Sequence, residues 1–231
     1  MQLSQAQIDD EVRFWVLNQD REHALFYKLG IVDPALQAEA AALYDQYEDA
    51  RQRDDLGAAM QILAKSQDFK SRALTASRER WIGWLFPLFY DHTRAELEIM
   101  LIRIRPGGIA PRGEICAVDR FNADHVAFAA HLADPMEGAV LAKAAPLAVN
   151  TADLANRCAT ETYASLLELS RRAASDVDGF FSGFDPSKTQ SVIHPALAAH
   201  VVREGKRFVT NLATLPMTDP ATPAAPMASW R

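Results

Sequence analysis

Apolar residues recur at three- and four-residue intervals along most of the chain, and no stretch sustains the two-residue alternation of a half-buried strand. Cutting that pattern at its Gly, Pro and capping residues predicts eight helices. The first runs from Ser4 or Asp9 to about Leu29, with Phe14, Trp15, Leu17, Leu25 and Phe26 among its apolar positions. Gly30 follows as a C′ residue suited to a left-handed conformation. Asp33 caps the second helix, Pro34 takes its first turn, and Leu36, Ala40, Leu43 and Tyr47 mark its apolar stripe to about Arg53. The third spans about Leu56 to Glu79. The fourth runs from Trp84 to about Arg103, bent or started at Pro87. After the RPGG break at 105–108, helices are expected over about Arg112–Leu132 and from an Asp134-Pro135 cap to about Ala148. Two more run from an Asn150 or Thr151 cap to about Val177, and from about Val192 to Leu215 with Pro195 in the first turn. DGFFSGFDPSKTQ reads as a loop, and PMTDPATPAAPMASWR as a flexible or surface-docked tail.

The same words recur about a hundred residues apart. EHALFYKLGIVDP, residues 22–34, returns as DHVAFAAHLADP, residues 124–135. DHTRAELEIM from Asp91 is matched by AHVVREGKRF from Ala199. His23 thus pairs with His125, His92 with His200, and Glu96 with Glu204, so four of the six histidines occupy equivalent places. A period of this size dictates architecture. The expectation is an all-α protein, a tandem duplication of an antiparallel four-helix unit with pseudo-twofold symmetry. Residues 1–108 form the first repeat, 109–215 the second, and 216–231 the Pro/Ala-rich tail.

Composition narrows the classes. The 231 residues are enough for one large or two small domains, and the net charge of −6 argues against broad binding of nucleic acid. The N-terminal MQLSQAQIDDE lacks a basic region and an apolar core, so a cytoplasmic protein is expected. The most apolar window, WIGWLFPLFY, is too short to span a bilayer, so no membrane partner is expected. Cys116 and Cys158 have no CxxC spacing and are read as reduced, buried thiols. There is no GxSxG elbow and no phosphate-cradling Gly-rich loop.

The chemistry therefore rests on the repeated His and acid positions. Residues four apart share a helix face, so His92 with Glu96, and His200 with Glu204, can each offer an imidazole and a carboxylate to one point. Such mixed donors suit iron, manganese or zinc better than a soft metal. Glu22-His23 and Asp124-His125 are adjacent and diverge by ~100° around a helix, so one of each pair ligates while the other supports it or bridges to a second ion. Glu11 lies eleven residues before Glu22, ~16 Å along the axis, and is either an exposed acid or a ligand. Glu114 lies eleven before His125 and is not its exact counterpart. The competing reading of each HxxxE pair is an ordinary hydrogen-bonded couple, and duplication alone copies such pairs. Asp33 and Asp134 are helix starts. Phe26, Phe128, Trp15, Trp81 and Trp84 are assigned to the core. His131 and His194, without counterparts, are assigned to local hydrogen bonds, and Asp91, Glu98 and Arg203 to pairing with neighbours.

Taken together, ExxFW at residues 11–15, EHALFxxLG after it, DHxxxExE from Asp91 and their echo in the second half resemble the DUF2935 family. The resemblance covers nearly the whole chain except the tail. It implies a duplicated, ferritin-like (or bromodomain-like) bacterial helical metalloprotein without an established activity. By the resemblance, Glu22, His23, His92, Glu96, Asp124, His125, His200 and Glu204 are the metal-site candidates. The chain departs from the pattern at Ala117-Val118, opposite Phe14-Trp15, and at Ala199, opposite Asp91. It also lacks the ExxH of true ferritins. The expected function is metal binding, as a non-haem di-metal protein with iron first and manganese or zinc as alternatives, open to oxygen, peroxide or redox chemistry. A non-catalytic storage or structural-metal protein and a metal-free interaction scaffold are the competing classes. The assembly expected is compatible with a homodimer.

Overall fold

The computed structural model describes residues 3–183, 185, 188 and 195–219. It is all-helical, with no strand among the described residues. The chain forms two compact units, Met1–Gly108 and Ile109–Arg231. Within each, four helices pack against their sequence neighbours, as helices of a bundle do.

In the first unit, α1 is one continuous rod in three parts: Gln5–Glu11 is α-helical, Val12–Asp20 is π-helical, and Arg21–Gly30 is α-helical again. Ser4 and Gln7 form a capping box at its start. The wider π turn shows in the bond from the Arg21 N–H to the Val16 carbonyl, five residues back. Asn18 adds a side-chain bond to the Arg13 carbonyl at 2.8 Å. Helix α2, Pro34–Gln52, starts as expected, with Asp33 accepting from the Leu36 N–H at 3.1 Å. Helix α3 is Leu56–Glu79, capped by Asp55. Helix α4 is Pro87–Ile104, with Pro87 in its first turn.

Gly30 closes α1 for a reason other than the one expected. It is not among the positive-φ residues, and a Cβ there would come within 2.6 Å of the Leu85 side chain. The loop before α4 lies against this corner. Trp84 N–H donates to the Gly30 carbonyl at 2.8 Å, and Val32 N–H to the Ile82 carbonyl at 2.8 Å. Gly83 is the residue that needs its freedom, with φ +156° and no room for a Cβ beside the Gly30 oxygen. Ile82 points inward and is 2% exposed. Trp81 and Trp84, expected in the core, instead stand 66% and 75% exposed, because they flank that single inward anchor in a loop and not a helix stripe. Trp15, Phe26 and Phe128 are buried as expected.

In the second unit, α5 is Pro111–Leu132, α6 Gly138–Arg157, α7 Tyr163–Ser182 and α8 Pro195–Thr214. Asp134-Pro135 does not start α6. Asp134 caps a turn, its carboxylate accepting from the Met136 N–H at 2.7 Å, and the helix begins at Gly138. The break expected at Asn150-Thr151 falls after Arg157, because the Thr151 hydroxyl bonds back to the Leu147 carbonyl at 2.8 Å within the helix. DGFFS is helical, since Phe181 extends the buried stripe of Ala174 and Val177. Most of the remaining FDPSKTQ, and His194, lie outside the described residues. The expectation of free thiols is overturned: Cys116 on α5 and Cys158 at the end of α6 form a disulfide, their Cα atoms 5.6 Å apart. The two helices lie side by side at this point, which brings residues 42 apart in sequence into bonding range.

Candidate metal centre

Each unit gathers two histidines around one glutamate. In the first, α4 carries His92 and Glu96 one turn apart, and α1 supplies His23. The Glu96 carboxylate takes His92 Nε2 on one oxygen at 3.1 Å and His23 Nε2 on the other at 3.3 Å. In the second, α8 carries His200 and Glu204, and α5 supplies His125. His125 Nε2 is 3.1 Å from one Glu204 oxygen and His200 Nε2 is 3.3 Å from the other. All six side chains are buried, none more than 2% exposed. Each of the six also belongs to a group of buried His and Glu whose ligand atoms lie close enough to hold an ion. Two imidazole nitrogens and a carboxylate form a donor set suited to iron, manganese or zinc.

The predicted acids beside these histidines lie elsewhere. Glu22 is 3.4 Å from Arg21, and Asp124 is 3.9 Å from Arg120. Among the described residues, neither joins a group close enough to share an ion. Glu11 is buried, not exposed, and so is Glu114, which accepts from Asn211 at 3.1 Å. Eleven residues of helix put Glu114 ~16 Å from His125, outside its group. Glu11 is twelve residues before His23, and the extra residue is absorbed by the π segment. His131 is exposed. Asp91 and Glu98 both pair with Arg94, as expected.

Behind His23 lies a buried network that no repeated motif marks. Asp20 is three residues earlier on the same face, its Oδ1 3.5 Å from His23 Nδ1. Lys70, fully buried on α3, reaches the same oxygen at 2.5 Å, His23 Nδ1 at 3.3 Å and the Thr93 carbonyl at 2.8 Å. Tyr47 donates to the other Asp20 oxygen, and Tyr27 shares a hydrogen bond with Thr93. Burial alone would push the Asp20 carboxyl up, but the Lys70 ammonium and His23 outweigh it and hold it well below the usual carboxylate range. Burial raises both tyrosines, and Asp20 raises Tyr47 further. The available signal was a lysine inside the stripe Ala59, Ile62, Leu63, Ser66, Phe69, Ala73.

The second unit keeps the histidine but not this support. Asn122 stands where Asp20 stands relative to the histidine, three residues before His125. The buried stripe of α7, Tyr163, Leu166, Leu167, Ser170, Ala174, Val177, matches Ala59, Ile62, Leu63, Ser66, Lys70, Ala73 of α3 position by position, so Ala174 replaces Lys70. Both charges of the pair have gone together. A different acid, Asp119, is buried here and accepts from the Ser170 hydroxyl at 2.7 Å. Burial pushes its carboxyl up to about 7 against that hydrogen bond. The His125 ring stacks on Phe208 at 6.2 Å. A narrow apolar pocket of about 10 Å³, lined by Phe128, Leu132, Phe181, Leu197 and Val201, reaches His125. It has room for one water-sized molecule.

Comparison with known proteins adds the fold alone. No family model and no curated protein matches the chain. A solved structure of an uncharacterized protein from Bacillus cereus G9241 superposes with a TM-score of 0.72 at 16% identity, over 91% of this chain and 92% of its own.

Proposed function

We propose that this protein is a non-haem metal-binding helical bundle in which His23, His92 and Glu96, and likewise His125, His200 and Glu204, hold a divalent cation. Iron is the first candidate and manganese or zinc the alternatives. The observation that carries the reading is the approach of two imidazole Nε2 atoms to one buried carboxylate in each unit. A carboxylate so buried is costly unless a positive charge meets it, and a cation among these three donors supplies that charge. The order of motifs that resembles the DUF2935 family supports the same reading, and with it a bacterial, ferritin-like protein.

When bound, a redox-active ion of this ligation supplies Lewis-acid or one-electron chemistry toward dioxygen or peroxide. The chain's own part is ligation, orientation and exclusion of water. Asp20 and Lys70 both approach the far nitrogen of His23, and such partners behind a ligating imidazole orient its ring. The pocket at His125 admits only a small molecule. Among the described residues no helix is long and apolar enough to cross a membrane. A cytoplasmic location belongs to this proposal too, and the disulfide is the feature that opposes it.

Elemental analysis tests the reading on untagged protein expressed with iron and manganese supplied. Roughly one or two ions per chain are expected for such closed His/carboxylate sets. His92→Ala and His200→Ala should lower the content, and His131→Ala should not. Folded protein that stays metal-free after metal addition, or equal content in all three variants, would return the chain to the class of helical scaffolds.

A further inference from the structure

We propose that the corner built from residues 29–33 and 77–88 of the first unit is a twofold interface between two copies of this chain. Helix α1 ends there, and the loop before α4 is bonded to it, with Trp84 N–H on the Gly30 carbonyl, Val32 N–H on the Ile82 carbonyl and Ile82 buried beneath. The surface that results is held by backbone, so little freedom is lost when something covers it. Among the described residues, eight large apolar side chains stand exposed. Leu29, Val32, Trp81, Trp84 and Leu88 belong to this corner, and Met136, Val149 and Met217 are scattered along the rest of the chain. Singly exposed apolar residues are ordinary, whereas a gathered set with two indoles marks a surface that is covered in the working protein.

Shape and charge select the occupant. The two indoles stand edge to face, 5.8 Å between centroids, as a raised ridge. Beside them opens a pocket of about 270 Å³ lined in part by Trp81, Trp84, Phe86 and Pro87. That is below the roughly 300–1,000 Å³ of a small-molecule site and has room for one large side chain. A ridge next to a hollow on one patch is the arrangement a twofold axis needs, because each copy then offers its projection to the other's recess. Charge agrees. Arg80 is bonded to Asp33 at 2.7 Å, and Lys28 at the edge faces Asp45 at 4.0 Å. Arg78 and Glu79, both exposed, add one charge of each sign. The patch is thus neutral in a chain of net charge −6, so it meets its own image without the repulsion the rest of the surface would impose. An anionic headgroup or a strongly charged peptide finds no counter-charge here.

The test is sedimentation velocity of the untagged full chain, over a concentration series up to about 100 µM, where an interface of ordinary size is populated. EDTA in the buffer keeps the outcome independent of metal, so a dimer bridged by an ion is not mistaken for this one. The parent should move from monomer to dimer along the series. Trp84→Ala should raise the dissociation constant at least about thirtyfold, the loss of a central aromatic anchor, with circular dichroism checking that the helices persist. Met136→Ala, which trims an exposed side chain outside the corner, should leave the constant unchanged. On dilution of the parent, tryptophan emission should shift to the red as the indoles are uncovered. A chain that stays monomeric throughout overturns the proposal, as does a dimer that Trp84→Ala leaves intact. A monomer whose emission shifts to the blue with phosphatidylcholine vesicles overturns it too, and gives the patch to a lipid surface.

Discussion

Lys70 and Asp20 offer the most demanding test of how the first unit is held together. Both are fully buried and 2.5 Å apart, with Tyr47 and the Thr93 carbonyl completing the set. Removing one member of such a pair strands the other charge and costs about 3–5 kcal/mol. Lys70→Met keeps the volume and the stem but loses the ammonium, so it should cost about that much. Asp20→Asn alone should be comparably harmful, since it leaves the ammonium without its anion. The double variant removes both charges, which is what the second unit has with Asn122 and Ala174 in these places. It should be less destabilised than the sum of the singles by about 2–3 kcal/mol, at the upper end of measured couplings between contacting residues. Urea unfolding followed by circular dichroism in EDTA reads this without metal linkage. Additivity within about 0.5 kcal/mol, or a Lys70→Met cost below about 1 kcal/mol, would refute the reasoning.

Three further outcomes are expected. Asp119 has its carboxyl raised from 3.8 to about 7 in the folded state, so the folded chain binds that proton more tightly than the unfolded one. Its contribution is fully present below about pH 4 and lost as pH rises through 7, on the order of 4 kcal/mol, and Asp119→Asn should flatten that decline in unfolding free energy between pH 4 and 7. Replacing Cys116 and Cys158 by Ala should cost about 4 kcal/mol, the loop-closure value for a 42-residue separation, with mass spectrometry of alkylated native protein confirming that the parent holds no free thiol. Gly83→Ala, whose Cβ would meet the Gly30 oxygen at 2.1 Å, should lower the melting temperature by more than Gly107→Ala, where nothing lies within 4 Å.

Helix existence was legible because it rests on periodicity, which local sequence carries. The limits failed where tertiary contact decided them. Thr151 has a capping side chain but spends it inside α6, and Asp134 spends its own in a turn before the helix. The His and Glu positions could be seen because duplication prints them twice. Lys70 and Asp119 could not, since each belongs to one half only and looks like a surface charge until its helix is placed. The tryptophans of the WIGW loop misled in the opposite sense, because hydrophobicity alone does not say which side of a loop faces out.

The π-helical stretch has a meaning for how two copies of a unit can drift apart. An insertion inside a buried helix ordinarily rotates everything upstream by ~100° and turns a core face to solvent. Here the first unit carries one more residue between its buried acid and its histidine than the second, twelve against eleven. Yet Glu11 and Glu114 are both inward. Winding one stretch more loosely discharges the extra residue within the helix, without a loop. A length change that selection would otherwise reject becomes silent, and the histidine downstream never registers that it happened.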